Sequence, residues 1–392
     1  MATLYVKISP VILDWLIKKA EATSNDSEIK MLDNWRKGDK KPTFNQIEKL
    51  SKKLQVPLGY FFLEQPPVEE YPLTEFRTIN SEGPETGLSA NLADTIDIIL
   101  DMQDWMRDYV KDMGQSKKAY VASCREDMPI SVVAAKVRKD LELAEDWMLM
   151  QKTGQDSFRF LRQKCRDVGI LIMMNGVVGA NTHRPLDINE FRAFTLVDEY
   201  VPLIFINAKD SIAGRLFSLL HEIVHIWIGV NSLFNEQDGR LDNQINHKEQ
   251  FCNAVASELL VPLSLFKTEW GKNLDDDTIK KVNTLSKKFT CSPVVIARRA
   301  LDAQYIPESI YHKVVAISIK MYNKRQSKED AGGDYYRTMA SRLDPQFVYA
   351  VAASAKSGRT QYTDIYRLTH TNRTTFKQLY QKMFAREGGV NS

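Results

Sequence analysis

The chain has 392 residues, 43% of them hydrophobic and 26% charged, and a net charge of only +3. A chain this long exceeds what one ordinary core supports, so the composition is that of a folded protein of several domains and excludes a low-complexity or fibrous chain. No run of about 18 apolar residues occurs, and the opening MATLYVKISPVILDW lacks a basic stretch followed by an apolar core. The sequence therefore predicts a cytoplasmic protein with no membrane partner.

Residues 1–66 read as a small helical domain. PVILDWLIKKAE, SEIKMLDNWRKG, TFNQIEKLSKKL and PLGYFFL are short helical stretches, punctuated by Pro42-Thr43 and Val56-Pro57, with Thr43 as a candidate N-cap. EQPPVEEYP then reads as a linker, and residues 67–150 as a linker and helical region whose longest helix lies in ANLADTIDIILDMQDWMRDYVKDM.

In residues 151–310 the apolar period changes. VGILIMMNGVVG, FRAFTLVDEY and VPLIFIN are short, rich in β-branched and aromatic residues, and separated by turn signals, so they read as three sheet strands. A helix follows from about Ile212 to Ile228, stopped by Gly229. A loop, GVNSLFNEQDGRLDNQIN, leads to a helix from about His247 to Leu260, stopped by Val261-Pro262, and residues 276–304 give two more helices. No internal repeat is seen.

Residues 311–392 form a basic helical region. From Lys313 onward there are 14 Lys and Arg against 6 Asp and Glu, a balance of +8, which leaves −5 for the residues before it. Within it YTDIYRLTHTNRTTFKQLYQKMF holds two helices joined near Thr369 to Asn372, and Arg367, Arg373, Lys377 and Lys382 are candidate nucleic-acid contacts. The four cysteines, Cys124, Cys165, Cys252 and Cys291, are far apart and form no C-x-x-C pair, so they read as reduced, packed thiols.

The chemistry concentrates in LLHEIVHIWIG, residues 219–229. Residues four apart on a helix lie one above the other, so His221 and His225 present two imidazoles to one point. This is the H-E-x-x-H arrangement, in which two neutral imidazoles bind Zn2+ and the intervening carboxylate, here Glu222, acts as base on a water. Such a centre needs a third protein ligand, and the following helix offers Glu249 and Glu258, with His247 as an outsider. Glu249 shares a face with Asn253 and Ala256, whereas Glu258 lies about half a turn away from it around the helix, so Glu249 is the expected ligand. Asn253 and His247 are candidates for supporting a ligand or stabilising an oxyanion, and His183 is a further oxyanion candidate.

On these residues the chain resembles the ImmA/IrrE family of metallopeptidases in the form with an Xre-like helix-turn-helix region at its N-terminus. VPLIFINAKDSIAGRLFSLLHEIVHIWIG is similar to the family's strand and H-E-x-x-H helix, and EQFCNAVASELLVP to its second signature. The resemblance implies that His221, His225 and Glu249 are zinc ligands and Glu222 the catalytic base. It implies an α+β fold class, a mainly helical multidomain chain with a zincin-like metallopeptidase core made of a small β-sheet plus the H-E-x-x-H helix. It also implies one cut in a specific protein partner, a helix-turn-helix repressor of a mobile element or stress regulon. The expected substrate is such a repressor or the product of a neighbouring gene, and FRAFTLV or VPLIFIN is read as a sheet edge that pairs with it in extended form.

The N-terminal region departs from the Xre-like pattern. Only ATSNDSEIKMLDNWRKGDKKP stands where a helix pair normally precedes the W-E-x-G element, and Arg36 occupies the acidic place. A degenerate helix-turn-helix of this kind points to protein docking at least as much as to DNA. The competing expectation is a binding regulator of antitoxin or repressor type, with DNA or a protein as its partner and a zinc site that is mainly structural.

Overall fold

Apolar stripes at helical spacing close a first core. In the computed structural model α1 (Pro10–Ala22), α2 (Asp26–Arg36) and α3 (Phe44–Leu54) bury Ile12, Leu16, Leu32 and Ile47, and a 3-10 turn over Leu58–Phe62 adds Phe61. A capping box starts α3. The Thr43 N–H donates to Gln46 Oε1 at 2.9 Å, and the Gln46 N–H donates to Thr43 Oγ1 at 3.3 Å. The structure describes residues 5–22, 26–54, 56–67, 88–234, 247–272, 277–326 and 341–384. They fall into two compact units, residues 1–93 and 94–392.

The second unit is mixed α and β and mainly helical. After α4 (Ala90–Asp112), α5 (Ile130–Asp140) and α6 (Gly154–Asp167) come β1 (Leu171–Asn175), a small hairpin of β2 (Val177–Val178) and β3 (Asn181–Pro185), β4 (Ala193–Leu196) and β5 (Leu203–Asn207). The chain continues through α7 (Ile212–Ile228), β6 (Ser232–Phe234), α8 (His247–Leu260), α9 (Leu263–Lys272), α10 (Thr278–Lys288), α11 (Pro293–Asp302) and α12 (Glu308–Gln326). It closes with α13 (Pro345–Lys356), α14 (Tyr362–Leu368) and α15 (Arg373–Phe384). Among the described residues no helix is long and apolar enough to cross a membrane.

The four-stranded sheet has the order β1-β5-β4-β6, with β1 and β5 parallel and the other pairs antiparallel. The two segments expected as a substrate-pairing edge, β4 and β5, therefore lie inside the sheet with a partner on each side. Their side chains give the reason, because β4 and β5 are buried along nearly their whole length, as strands covered on both faces are. Alternation sorts the faces. Ile172, Ala193, Ile204 and Ile206 join the core that packs on α7, while Phe194 and Phe205 stack on the other side with centroids 5.0 Å apart. Among the described residues β6, in a stretch read as loop, is one edge of the sheet and β1 the other.

The edge at β1 is closed from the C-terminal side. Asp344 caps α13 by accepting from the Gln346 N–H at 2.8 Å, and its other oxygen accepts the Ile172 N–H of β1 at 3.2 Å. One fully buried carboxylate thus starts a helix and satisfies one N–H of a strand edge together.

Candidate metal centre

Both ends of α7 are fixed by contacts that its sequence dictates. At the start the Ser211 hydroxyl accepts the Gly214 N–H at 3.0 Å, and the buried Asp210, held by Arg192 Nη1 at 3.1 Å, lies against the first turn, where a carboxylate suits the helix dipole. Gly214 has a steric reason, because a Cβ there would run into the Asp210 carboxylate. At the other end Gly229 takes φ 74° as the left-handed cap. The segment around Ala122 crosses this end. The Ala122 N–H donates to Ile226 O at 3.0 Å and the Cys124 N–H to Trp227 O at 2.8 Å, so carbonyls that a helix end leaves open are satisfied. Trp227 Nε1 donates to Asp140 at 2.9 Å, and its ring stacks on Tyr120.

Every residue of α7 from Ser218 to Trp227 is buried. His221 and His225 converge as their spacing requires, with Nε2 atoms 3.0 Å apart. Glu249 reaches them from the first turn of α8, one oxygen 3.0 Å from His221 Nε2 and the other 3.5 Å from His225 Nε2. One ligand atom from each of the three lies within 4.8 Å of the others. Asn253, one turn along α8, places Oδ1 2.9 Å from His221 Nδ1. Burial pushes the Glu249 carboxyl up, but with the rings of His221 and His225 protonated their hydrogen bonds and charge outweigh it and hold the carboxyl well below the usual carboxylate range.

The donor set fits a metal ion. When His221 gives its Nδ1–H to Asn253, its Nε2 turns a lone pair toward the group, and Glu249 as a carboxylate adds only acceptors. The lone pair of His221 Nε2 then faces a Glu249 carboxylate oxygen 3.0 Å away inside a buried site, an arrangement that a cation resolves. Two imidazole nitrogens and one carboxylate oxygen are the ligands of a site that keeps one position open for chemistry.

Glu222 lies on the same helix and is fully buried. Its Oε2 accepts from Thr195 Oγ1 at 2.5 Å and from Ser232 Oγ, whereas its buried Oε1 has no partner among the described residues. Sequence reasoning missed Thr195 and Ser232. Thr195 sat in a stretch explained by packing, and no periodic signal marked the three-residue strand carrying Ser232.

The other candidates lie elsewhere. Glu258 is bound to Arg299 at 2.9 Å, and its main-chain carbonyl accepts from Arg138, which ties α8 to α11 and α5. His247 opens α8 as an exposed residue outside the three-residue group, and His183 is exposed on β3. Arg367 on α14 and Arg373, Lys377 and Lys382 on α15 are all exposed.

Residues 165–301 match the family model of the IrrE N-terminal-like domain (Peptidase_M78), a span running from the end of α6 through α11 that contains His221, Glu222, His225 and Glu249. Residues 343–382 match the model of a domain of unknown function (DUF8813), which takes in α13, α14 and most of α15. No curated protein and no solved structure matches the chain. The first match supports the ImmA/IrrE resemblance and a metallopeptidase-family domain. Such a family implies a metal, and among the described residues the His221–His225–Glu249 group could hold one.

Proposed function

We propose that the chain is a zinc metallo-endopeptidase that makes a specific cut in a protein partner, a helix-turn-helix repressor or other regulator of a mobile element or stress response. The observation that carries this reading is the convergence of His221, His225 and Glu249 beside the buried carboxylate of Glu222. His221, His225 and Glu249 would hold the ion, with Asn253 fixing the tautomer of His221. Zinc in such a set supplies Lewis acidity, which lowers the pKa of a water and polarises a peptide carbonyl. Glu222 takes the proton of the attacking water at Oε1 and returns it to the leaving amine nitrogen. Thr195 and Ser232 keep Oε2 engaged meanwhile. The substrate pairs as an extended segment along β6, the sheet edge that carries Ser232.

The test is direct. The protein is purified without chelators, its zinc is measured, and wild type, Glu222→Gln and His221→Ala are incubated with the product of the neighbouring gene and read by intact mass. Wild type makes one discrete cut, Glu222→Gln keeps zinc and cuts nothing, and His221→Ala loses both. Equal cleavage by Glu222→Gln overturns the mechanism. A stable complex that wild type leaves uncut moves the reading to a binding regulator. The exposure of Arg367, Arg373, Lys377 and Lys382 favours that alternative in one form, duplex DNA contact by α14 and α15, whose signature is a salt-dependent shift of DNA by this protein alone.

A further inference from the structure

We infer that Thr195 and Ser232 are positioning residues that aim Glu222, an inference that rests on the metallopeptidase reading. The two residues stand directly opposite each other in the register of β4 and β6. Side chains so paired share one face of the sheet with Cβ atoms about 5 Å apart, close enough for two hydroxyls to reach one atom. That face is the one that packs on α7, because Thr195 alternates in phase with Ala193 of the α7-facing core. Both hydroxyls, from residues no more than 1% exposed, donate to the same carboxylate oxygen, Glu222 Oε2.

Burial alone does not ask for this arrangement. An ionised carboxylate has about four lone-pair sites over its two oxygens, and a carboxylate that only needs to be made comfortable in a core is best served by donors on both. Here two donors crowd Oε2 while the equally buried Oε1 has no partner among the described residues. The pair therefore acts as a clamp that locks the rotamer of Glu222 through Oε2 and leaves Oε1 without a competing donor among the described residues. Register is what makes the clamp, since a one-residue slip of β6 would turn Ser232 to the opposite face and bring Leu233 in its place.

The experiment does not depend on knowing the substrate. Zinc-loaded full-length protein is titrated calorimetrically with acetohydroxamate, a metal chelator that donates a hydrogen bond to a carboxylate held beside the metal. Wild type, Glu222→Gln, Thr195→Val, Thr195→Ser and Ser232→Ala are compared, each checked for one zinc per chain and a cooperative thermal melt. Thr195→Val and Ser232→Ala are expected to bind acetohydroxamate about tenfold more weakly with zinc stoichiometry unchanged, the lower end of the loss seen when an outer-shell partner is removed. Glu222→Gln is expected to weaken it further, and Thr195→Ser, which keeps the hydroxyl, to restore wild-type affinity. Wild-type affinity in Thr195→Val and Ser232→Ala beside a weakened Glu222→Gln overturns the clamp and leaves the metallopeptidase reading standing. Failure of wild type to bind zinc, or no weakening in Glu222→Gln, overturns that reading and the clamp with it. Should Thr195→Val not fold, Ser232→Ala decides alone.

Discussion

The two units fill their interiors on opposite terms. Among the described residues of the first unit, Glu28 is the one buried polar or charged side chain, and it is tied to Ser27 at 2.7 Å and to Lys53; the rest of that core is aliphatic or aromatic. The second unit encloses His221, Glu222, His225, Thr195, Ser232 and Asp344, each no more than 1% exposed. An unpartnered polar group in such a place costs on the order of 1–3 kcal/mol, so this unit gives up stability unless each group is matched. Most of them are matched, by hydroxyls on Glu222 Oε2, an amide on His221 and backbone N–H groups on Asp344, while Glu222 Oε1 and His225 Nδ1 have no partner among the described residues. One interior is therefore replaceable by any side chains of the right shape, and the other is specified by chemistry.

The largest effect expected from this contrast is on the apolar side. Phe61 is fully buried in the first core, and Phe61→Ala should destabilise that unit by about 3–5 kcal/mol through lost transfer energy and the cavity left behind. Denaturant unfolding of the full chain should show an earlier transition while zinc per chain stays at the wild-type value. Loss of zinc together with that transition would show that the two interiors do not stand alone.

A smaller effect is expected where a matched polar group supports a ligand. Asn253→Ala removes the partner of His221 Nδ1 without touching a ligand atom, so the imidazole loses its fixed tautomer. Zinc affinity, measured by competition with a chromophoric chelator, should fall about 10–100-fold, with the melting temperature of the zinc-free protein little changed. An unchanged affinity would make Asn253 a packing residue.

The same contrast explains what could be read in the sequence. Helix α7 was legible because apolar periodicity and the Gly229 stop act locally, and Glu249 was reachable because a helix fixes which residues share a face. The four short helical stretches of the first unit were legible for the same reason. β6 was not, since Ser232–Phe234 is a strand only because β4 lies beside it, a cause far away in the chain. The hairpin strand Asn181–Pro185 is mostly exposed and carries no apolar alternation to reveal it. With β6 invisible, the edge of the sheet was assigned to β4 or β5, and the hydroxyl pair on Glu222 could not be foreseen. Local rules thus gave the His221–His225–Glu249 group, and register gave the two hydroxyls on Glu222.

The last expected effect is a slope with pH. Burial pushes the Asp344 carboxyl above its ordinary value, with Arg162 and Arg166 opposing that shift. Between the unfolded value, about 3.9 for an aspartate, and the raised folded value, the native state holds a proton that the unfolded chain has released. Stability contributed at this position is therefore fully present at low pH and declines as pH rises through that window. Asp344→Asn keeps an acceptor oxygen and cannot ionise, so the melting temperature of wild type should fall relative to the variant as pH climbs from 4 upward. A difference that stays flat with pH would mean that the arginines and the Ile172 and Gln346 N–H groups compensate the charge fully. A falling difference would mean that the second unit closes the β1 edge with a group that costs stability at neutral pH.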